Sequence, residues 1–282
     1  MKIEAATHFP HYANIVLTCL SLSSFMAAGA VHADLLIGPL TTLDSKLSDF
    51  ENSTITNTDY QLALATDPQW RRVTGSARDI GVGSDGSVWV IGTDRRAGGY
   101  GIYRWNGSDW NRVTGGAARI DVDPEGNPWI VNSSDDIFHY VAGNWQRMPG
   151  SAKDIGVGAD GSVWVVSSGG VFKWDGESWQ GVGGSGVRID VDQYGSPWVI
   201  GRGDDIFQFV AGNWAKRPGD ARDIGIGGEG SVWVVGRGRT SGIYRWIDDN
   251  WQSVNGSARE ISVDAAGNVW IVNRSGNIYT SQ

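Results

Sequence analysis

The sequence predicts an all-β fold: a six-bladed β-propeller of four-stranded antiparallel blades, its ring closed by an N-terminal strand, Trp70 to Val73, joining the last blade. Three observations predict it. First, the fifteen tryptophans of the 282 residues lie on one ruler. Six mark repeat boundaries (Trp70, Trp110, Trp145, Trp179, Trp214, Trp251), and six more follow each of these by nineteen residues (Trp89, Trp129, Trp164, Trp198, Trp233, Trp270). A spacing kept this way means one supersecondary unit copied along the chain. Second, each unit of 34 to 40 residues divides into four short apolar runs separated by Gly-rich turns, which is strand chemistry. Third, the last unit stops just after its third strand, while Trp70-Arg71-Arg72-Val73 is a fourth strand with no unit before it. Placing that strand at the outer edge of the last blade removes an exposed edge and ties first to last.

The first 66 residues read differently. Lys2 precedes an apolar run from Ala13 to Val31, and Val31-His32-Ala33 before Asp34 fits a signal-peptidase site. The expected division is a signal peptide over 1–33, a polar lead-in over 34–66 and the propeller over 67–282. Ala28-Gly29-Ala30 is the alternative cleavage point. A membrane anchor is the weaker reading, because polar residues interrupt the run and small ones end it. In the lead-in, Pro39 followed by Leu40, Leu43, Leu47 and Phe50 has the spacing of one short amphipathic helix, with a linker as the alternative.

Within a unit, the first strand carries Ile at the tenth position after the boundary Trp and Val or Ile at the twelfth. A turn follows with a glycine in all six copies (Gly86, Gly126, Gly161, Gly195, Gly230, Gly267), supplying the positive φ of a tight hairpin. The second strand holds the Trp nineteen residues on; Pro128 and Pro197 open it, where a missing donor costs least. After a variable loop, the third strand has a β-branched–aromatic pair, Ile102-Tyr103 being the first. A short turn leads to the fourth strand, which starts at the next boundary Trp.

Composition narrows function. With 23 Lys+Arg against 31 Asp+Glu, the formal charge is -8, a field that repels phosphate backbones, so no nucleic-acid partner is expected. Cleavage near Ala33 would remove the only cysteine, Cys19, and leave His139 as the sole histidine. Cysteine zinc sites, multi-His metal centres and cysteine nucleophiles are thereby excluded from a mature chain. No catalytic residues are assigned: His139 has no nucleophile motif beside it. A paired-carboxylate glycosidase is disfavoured, because a catalytic pair breaks a repeat's symmetry and the acids here mostly obey it.

The departures from six-fold symmetry supply the candidate sites. At the ninth position charge alternates (Asp79, Arg119, Asp154, Arg188, Asp223) until Glu260 breaks the rule; near a ring axis these would pair between neighbours. Trp105, Trp174 and Trp246 occur only in units one, three and five, one residue beyond Arg104, Lys173 and Arg245. An aromatic face beside a cation is a common grip on a sugar, so these six are candidate carbohydrate contacts, with cover of an outer cleft as the structural alternative. Asp135, Asp136, Asp204 and Asp205, in loops of variable length, are candidates for sugar hydroxyls or calcium, against solvated turn carboxylates. No other cofactor is expected. Arg202-Gly203-Asp204 and the EF-hand-like start at Asp121 are read as chance triplet and hairpin turn.

The repeated elements Trp-x-x-Val-x-Gly-x-Ala, Asp-Ile-x-Val-Gly, Asp-Gly-Ser-Val-Trp and Gly-Ile-Tyr-Arg-Trp, all present from Trp70 to Trp105, resemble the tectonin repeat. The resemblance covers residues 70 to 282. It implies a secreted or surface lectin-like propeller binding glycans or lipopolysaccharide. Because other tectonin-repeat proteins are intracellular interaction modules, a protein-interaction scaffold is the alternative.

Overall fold

The computed structural model describes residues 67–238 and 241–281. The expected leader, its cleavage near Ala33 and the lead-in helix lie outside them. Among the described residues every regular element is a strand, and no helix could cross a membrane.

The chain enters through β1 (Arg71–Ser76) and then builds one antiparallel meander after another. The first comprises β2 (Asp79–Val82), β3 (Val88–Arg96), β4 (Gly99–Trp105) and β5 (Trp110–Ala117). The second comprises β6 (Arg119–Val122), β7 (Pro128–Val131), β8 (Asp136–Val141) and β9 (Asn144–Ser151). The third follows with β10 (Asp154–Val157), β11 (Val163–Ser167), β12 (Gly170–Trp174) and β13 (Trp179–Gly183). In the fourth, β14 (Arg188–Val191), β15 (Pro197–Ile200) and β16 (Asp205–Val210) lead into β17 (Asn213–Ile226). That long strand pairs with β16 through its first half and with β18 (Val232–Gly236) through its second. It therefore ends the fourth meander and begins the fifth, which continues to β19 (Gly242–Ile247) and β20 (Asn250–Ser257). The sixth holds β21 (Glu260–Val263), β22 (Val269–Val272) and β23 (Asn277–Thr280), and its fourth strand is β1, paired antiparallel with β23. In the first repeat the variable loop between the second and third strands is largely hairpin, because β3 and β4 extend into it and Arg95 pairs with Tyr100.

Packing falls into six apolar clusters, each at a seam between two successive meanders. Trp89 and Ile91 of the first meet Ile120 and Val122 of the second. Trp164 and Val166 of the third meet Ile189 and Val191 of the fourth. Trp270 and Val272 of the last meet Ile80, Val82 and Val73. The tenth-position isoleucines and second-strand tryptophans are all buried, because period-two alternation turns both toward a seam.

Candidate functional site

Two sets of polar contacts hold the seams, and they decide which side chains remain for function. At the inner strands a carboxylate of one repeat accepts a backbone N–H of the next. Asp79 takes Ile120 N at 2.9 Å, Asp121 takes Val157 N at 2.6 Å and Asp154 takes Ile189 N at 2.9 Å. Asp190 and Asp223 repeat this on Ile226 N and Ile261 N, and the hydroxyl of Ser262 accepts Val82 N at 3.1 Å. The bonding residue is the ninth in odd repeats and the eleventh in even ones. The ninth position of even repeats is thereby free for arginine.

Arg119 lies 3.5 Å from Asp79, 3.7 Å from Asp154 and 3.4 Å from Glu260; Arg188 lies 3.4 Å from Asp223. The pairing expected from the alternating charge is present. Two guanidiniums still leave carboxylates in excess in a buried space. Burial raises Asp79 to about 7 against the pull of Arg119. Burial raises Asp121 to about 8 against two backbone N–H groups, and raises Asp154, Asp190 and Asp223 as well.

At the outer strands five of the six boundary tryptophans make the second set, and Trp214 Nε1 is buried without a hydrogen-bond partner among the described residues. Trp110 Nε1 donates to Thr74 O at 2.8 Å, Trp145 to Thr114 O at 2.7 Å and Trp70 to Asn255 O at 2.6 Å. Each indole lies over a glycine of the preceding repeat five residues past that repeat's boundary Trp, such as Gly75 (φ +90°) beneath Trp110. These six tryptophans are partly buried, unlike the second-strand six, so the twelve do not form one core population.

The third set completes the same seams. Trp105 packs on Trp110 at 4.9 Å, Trp174 on Trp179 at 5.0 Å and Trp246 on Trp251 at 4.7 Å. Tyr140 on Trp145 and Phe209 on Trp214 fill this position in even repeats. The cations expected beside them point the other way. Arg104 lies over Trp89 at 5.5 Å, Lys173 over Trp164 at 5.2 Å and Arg245 over Trp233 at 5.3 Å. Neighbouring residues on a strand project to opposite faces. Thus Arg104 and Trp105, Lys173 and Trp174, and Arg245 and Trp246 each serve two different seams and do not converge on one ligand.

The carboxylate candidates are engaged by cations. Asp135 pairs with Lys153, Asp136 with Arg147, Asp204 with Arg237 and Asp205 with Lys216. None of them joins a cluster of metal-ligating residues. The EF-hand-like string is a turn: Asp123 accepts Glu125 N and Asn127 N, and also contacts His139 Nε2 at 3.1 Å.

Open space lies in two places, the second of them lined in part by Asp135. A cleft of about 270 Å³ at the seam of the fourth and fifth repeats is lined by Trp251 and Tyr244 together with Arg237 and Asp220. A second cavity of about 400 Å³ opens where the first strands begin, among Arg78, Tyr100, Lys153 and Arg259. Sequence reasoning reached the first only through Asp204, the partner of Arg237. Its usable signal was the unequal loop carrying Arg237; nothing local joins Asp220, Tyr244 and Trp251.

Residues 48–141 and 116–280 match the model of the Tectonin domain family. No curated protein sequence matches the chain. Solved β-propeller structures resemble the fold at low identity. A gluconolactonase from Xanthomonas campestris aligns with TM-score 0.59 and 13% identity, over 77% of this chain and 92% of its own. A Bacteroides thetaiotaomicron protein of unknown function aligns at 0.57 and 9%, over 77% and 73%. A chain of the mitotic checkpoint complex aligns at 0.56 and 8%, over 76% and 93%. Such likenesses speak to the fold alone.

Proposed function

This chain belongs to the tectonin family, and from that premise we propose that it is a secreted carbohydrate-binding protein: a six-bladed ring, closed by β1, that holds surface glycans at its seams. Closure is supported by the β1–β23 pairing, by the cluster joining Trp270 to Ile80, and by the Ser262–Val82 bond. Secretion is supported by the apolar run ending at Ala33.

The observation that carries the binding reading is the cleft at the fourth seam. Trp251 and Tyr244 offer aromatic surface for the C–H face of a sugar, while Arg237 and Asp220 offer a donor and an acceptor for its hydroxyls. The Trp-on-Gly arrangement beneath it recurs at the other seams, so weak sites would add by avidity on a dense glycan surface.

A glycan array probed with the folded chain tests this. Signal on a subset of glycans, weakened about tenfold by Arg237→Ala through loss of a charge-assisted hydrogen bond, is the expected result. Silence on all microbial and host glycans would sink it. Recovery of one stoichiometric protein partner, insensitive to competing sugars, would favour a scaffold instead.

A further inference from the structure

The net charge conceals a strong polarity. In an antiparallel meander, the turns joining strands one–two and three–four lie at one end, and the remaining connections lie at the other. The former carry acids and no Lys or Arg, as in Ser84-Asp85-Gly86-Ser87, Asp175-Gly176-Glu177-Ser178 and Gly228-Glu229-Gly230. The latter carry more cations than acids: Arg78, Arg95, Lys153, Arg222, Arg259 and Arg274 are among them, beside Asp94, Asp135, Asp204 and Asp220. An overall charge of -8 therefore says nothing about what this second end attracts.

The cavity of about 400 Å³ lies at this basic end and draws on four repeats. Its two acids are already neutralised: Asp135 pairs with Lys153, and Glu260 with Arg119 and Arg259. Arg78, which lines the cavity, and Arg95, which reaches the same Tyr100 ring from outside the lining, are different. Both are exposed, and both lie against the ring of Tyr100, at 4.1 Å and 5.4 Å, with no carboxylate partner among the described residues. Two guanidiniums thus flank one neutral ring, with no carboxylate among the described residues to balance either charge. The Tyr100 ring meanwhile fixes both guanidiniums and leaves their N–H edges free for a forked contact.

We propose that this basic end is a second binding surface, whose Arg78 and Arg95 take the carboxylate or phosphate of an acidic saccharide. Tyr100 is the positioning residue. The assignment rests on the carbohydrate reading above and specifies the charge class of the ligand. Carboxylate and phosphate offer the same chemistry here, oxygen pairs that accept bidentate guanidinium donors.

The test is an array of matched pairs: uronate-containing and phosphorylated glycans, each beside its neutral parent. Acidic members should bind about tenfold more tightly than their parents, and the margin should shrink as salt rises. Arg78→Ala and Arg95→Ala should each erase the margin, Arg78→Lys should recover part of it, and Arg112→Ala, on an exposed position of β5, should leave it intact. Unchanged thermal unfolding would show that the variants are folded. Which arm responds separates the carboxylate source from the phosphate source. Equal binding of acidic and neutral members, or a margin that survives Arg78→Ala and Arg95→Ala, overturns this proposal and leaves the carbohydrate reading standing. Silence on every glycan overturns both.

Discussion

The side chain of Asp223 reaches out of its own repeat, and its Oδ2 accepts a hydrogen bond from the backbone N–H of Ile261 at 2.7 Å in the next. The same polar fastener recurs at the other seams of the inner strands, with the hydroxyl of Ser262 in place of a carboxylate where the last repeat meets Val82. An edge strand's unpaired N–H is an obligatory donor, and a carboxylate supplied by the neighbour satisfies it without a continuous sheet.

Removing a fastener should therefore cost stability in a pattern set by how many oxygens it uses. Asp223→Ala strands a buried N–H and is expected to cost about 1–3 kcal/mol in denaturant unfolding. Asp223→Asn keeps the needed oxygen and should recover most of that. Asp121 is different, because its two oxygens accept Val122 N and Val157 N separately. An amide presents only one acceptor oxygen, so Asp121→Asn should recover a smaller share of the Asp121→Ala loss than Asn recovers at position 223. Equal rescue at the two positions would contradict this geometry.

The pH dependence follows from burial of these groups. Asp79 and Asp121 have folded values of about 7 and 8 against an unfolded 3.8, so the folded state holds protons that the unfolded state has released. Their contribution is fully present below the unfolded value and is lost as pH rises through the folded values. Asp123, Asp136 and Asp175 are shifted down and act oppositely, losing their contribution as acid is added. Calorimetric scans should place the highest Tm near pH 5 and show it falling steadily toward pH 8. A Tm that rises between pH 5 and 8 would refute the assignment.

The outer ring makes its own prediction. Gly115 has φ +111° and lies under Trp145, so Gly115→Ala combines a left-handed backbone with a methyl group 3.2 Å from the indole Nε1. A cost of about 1–2 kcal/mol is expected from the backbone alone. Gly184→Ala should cost more, because the added carbon would overlap Trp214 Nε1. Denaturant midpoints of the two variants check the order.

The third-set tryptophans should matter for stability and not for ligand. Trp105→Ala opens the seam beside Trp110 and is expected to cost about 3 kcal/mol. Trp105→Tyr should recover much of it, as Tyr140 serves the same position in the second repeat. Glycan binding at a temperature where each variant is folded should match the parent.

Most of the fold was legible because its determinants are local and repeated. The Ile positions, the turn glycines and the second-strand tryptophans are each read within one unit, and a pattern copied along the chain averages away local accident. The candidate sites were less legible. Arg104 and Trp105 are adjacent in sequence, yet strand alternation sends them to opposite seams. The cleft residues Asp220, Arg237, Tyr244 and Trp251 come together only because two meanders pack face to face.

By itself, then, the sequence determined the repeat, its strands and the residues each strand buries, since period-two patterning and turn chemistry act over a few residues. It also showed the alternation of Asp and Arg without revealing its purpose. Only the tertiary structure decided that this alternation fastens one repeat to the next, and that the acidic turns lie at one end while the cation-bearing connections lie at the other. Both facts depend on which side chains meet across a seam, and no distance along the chain encodes that.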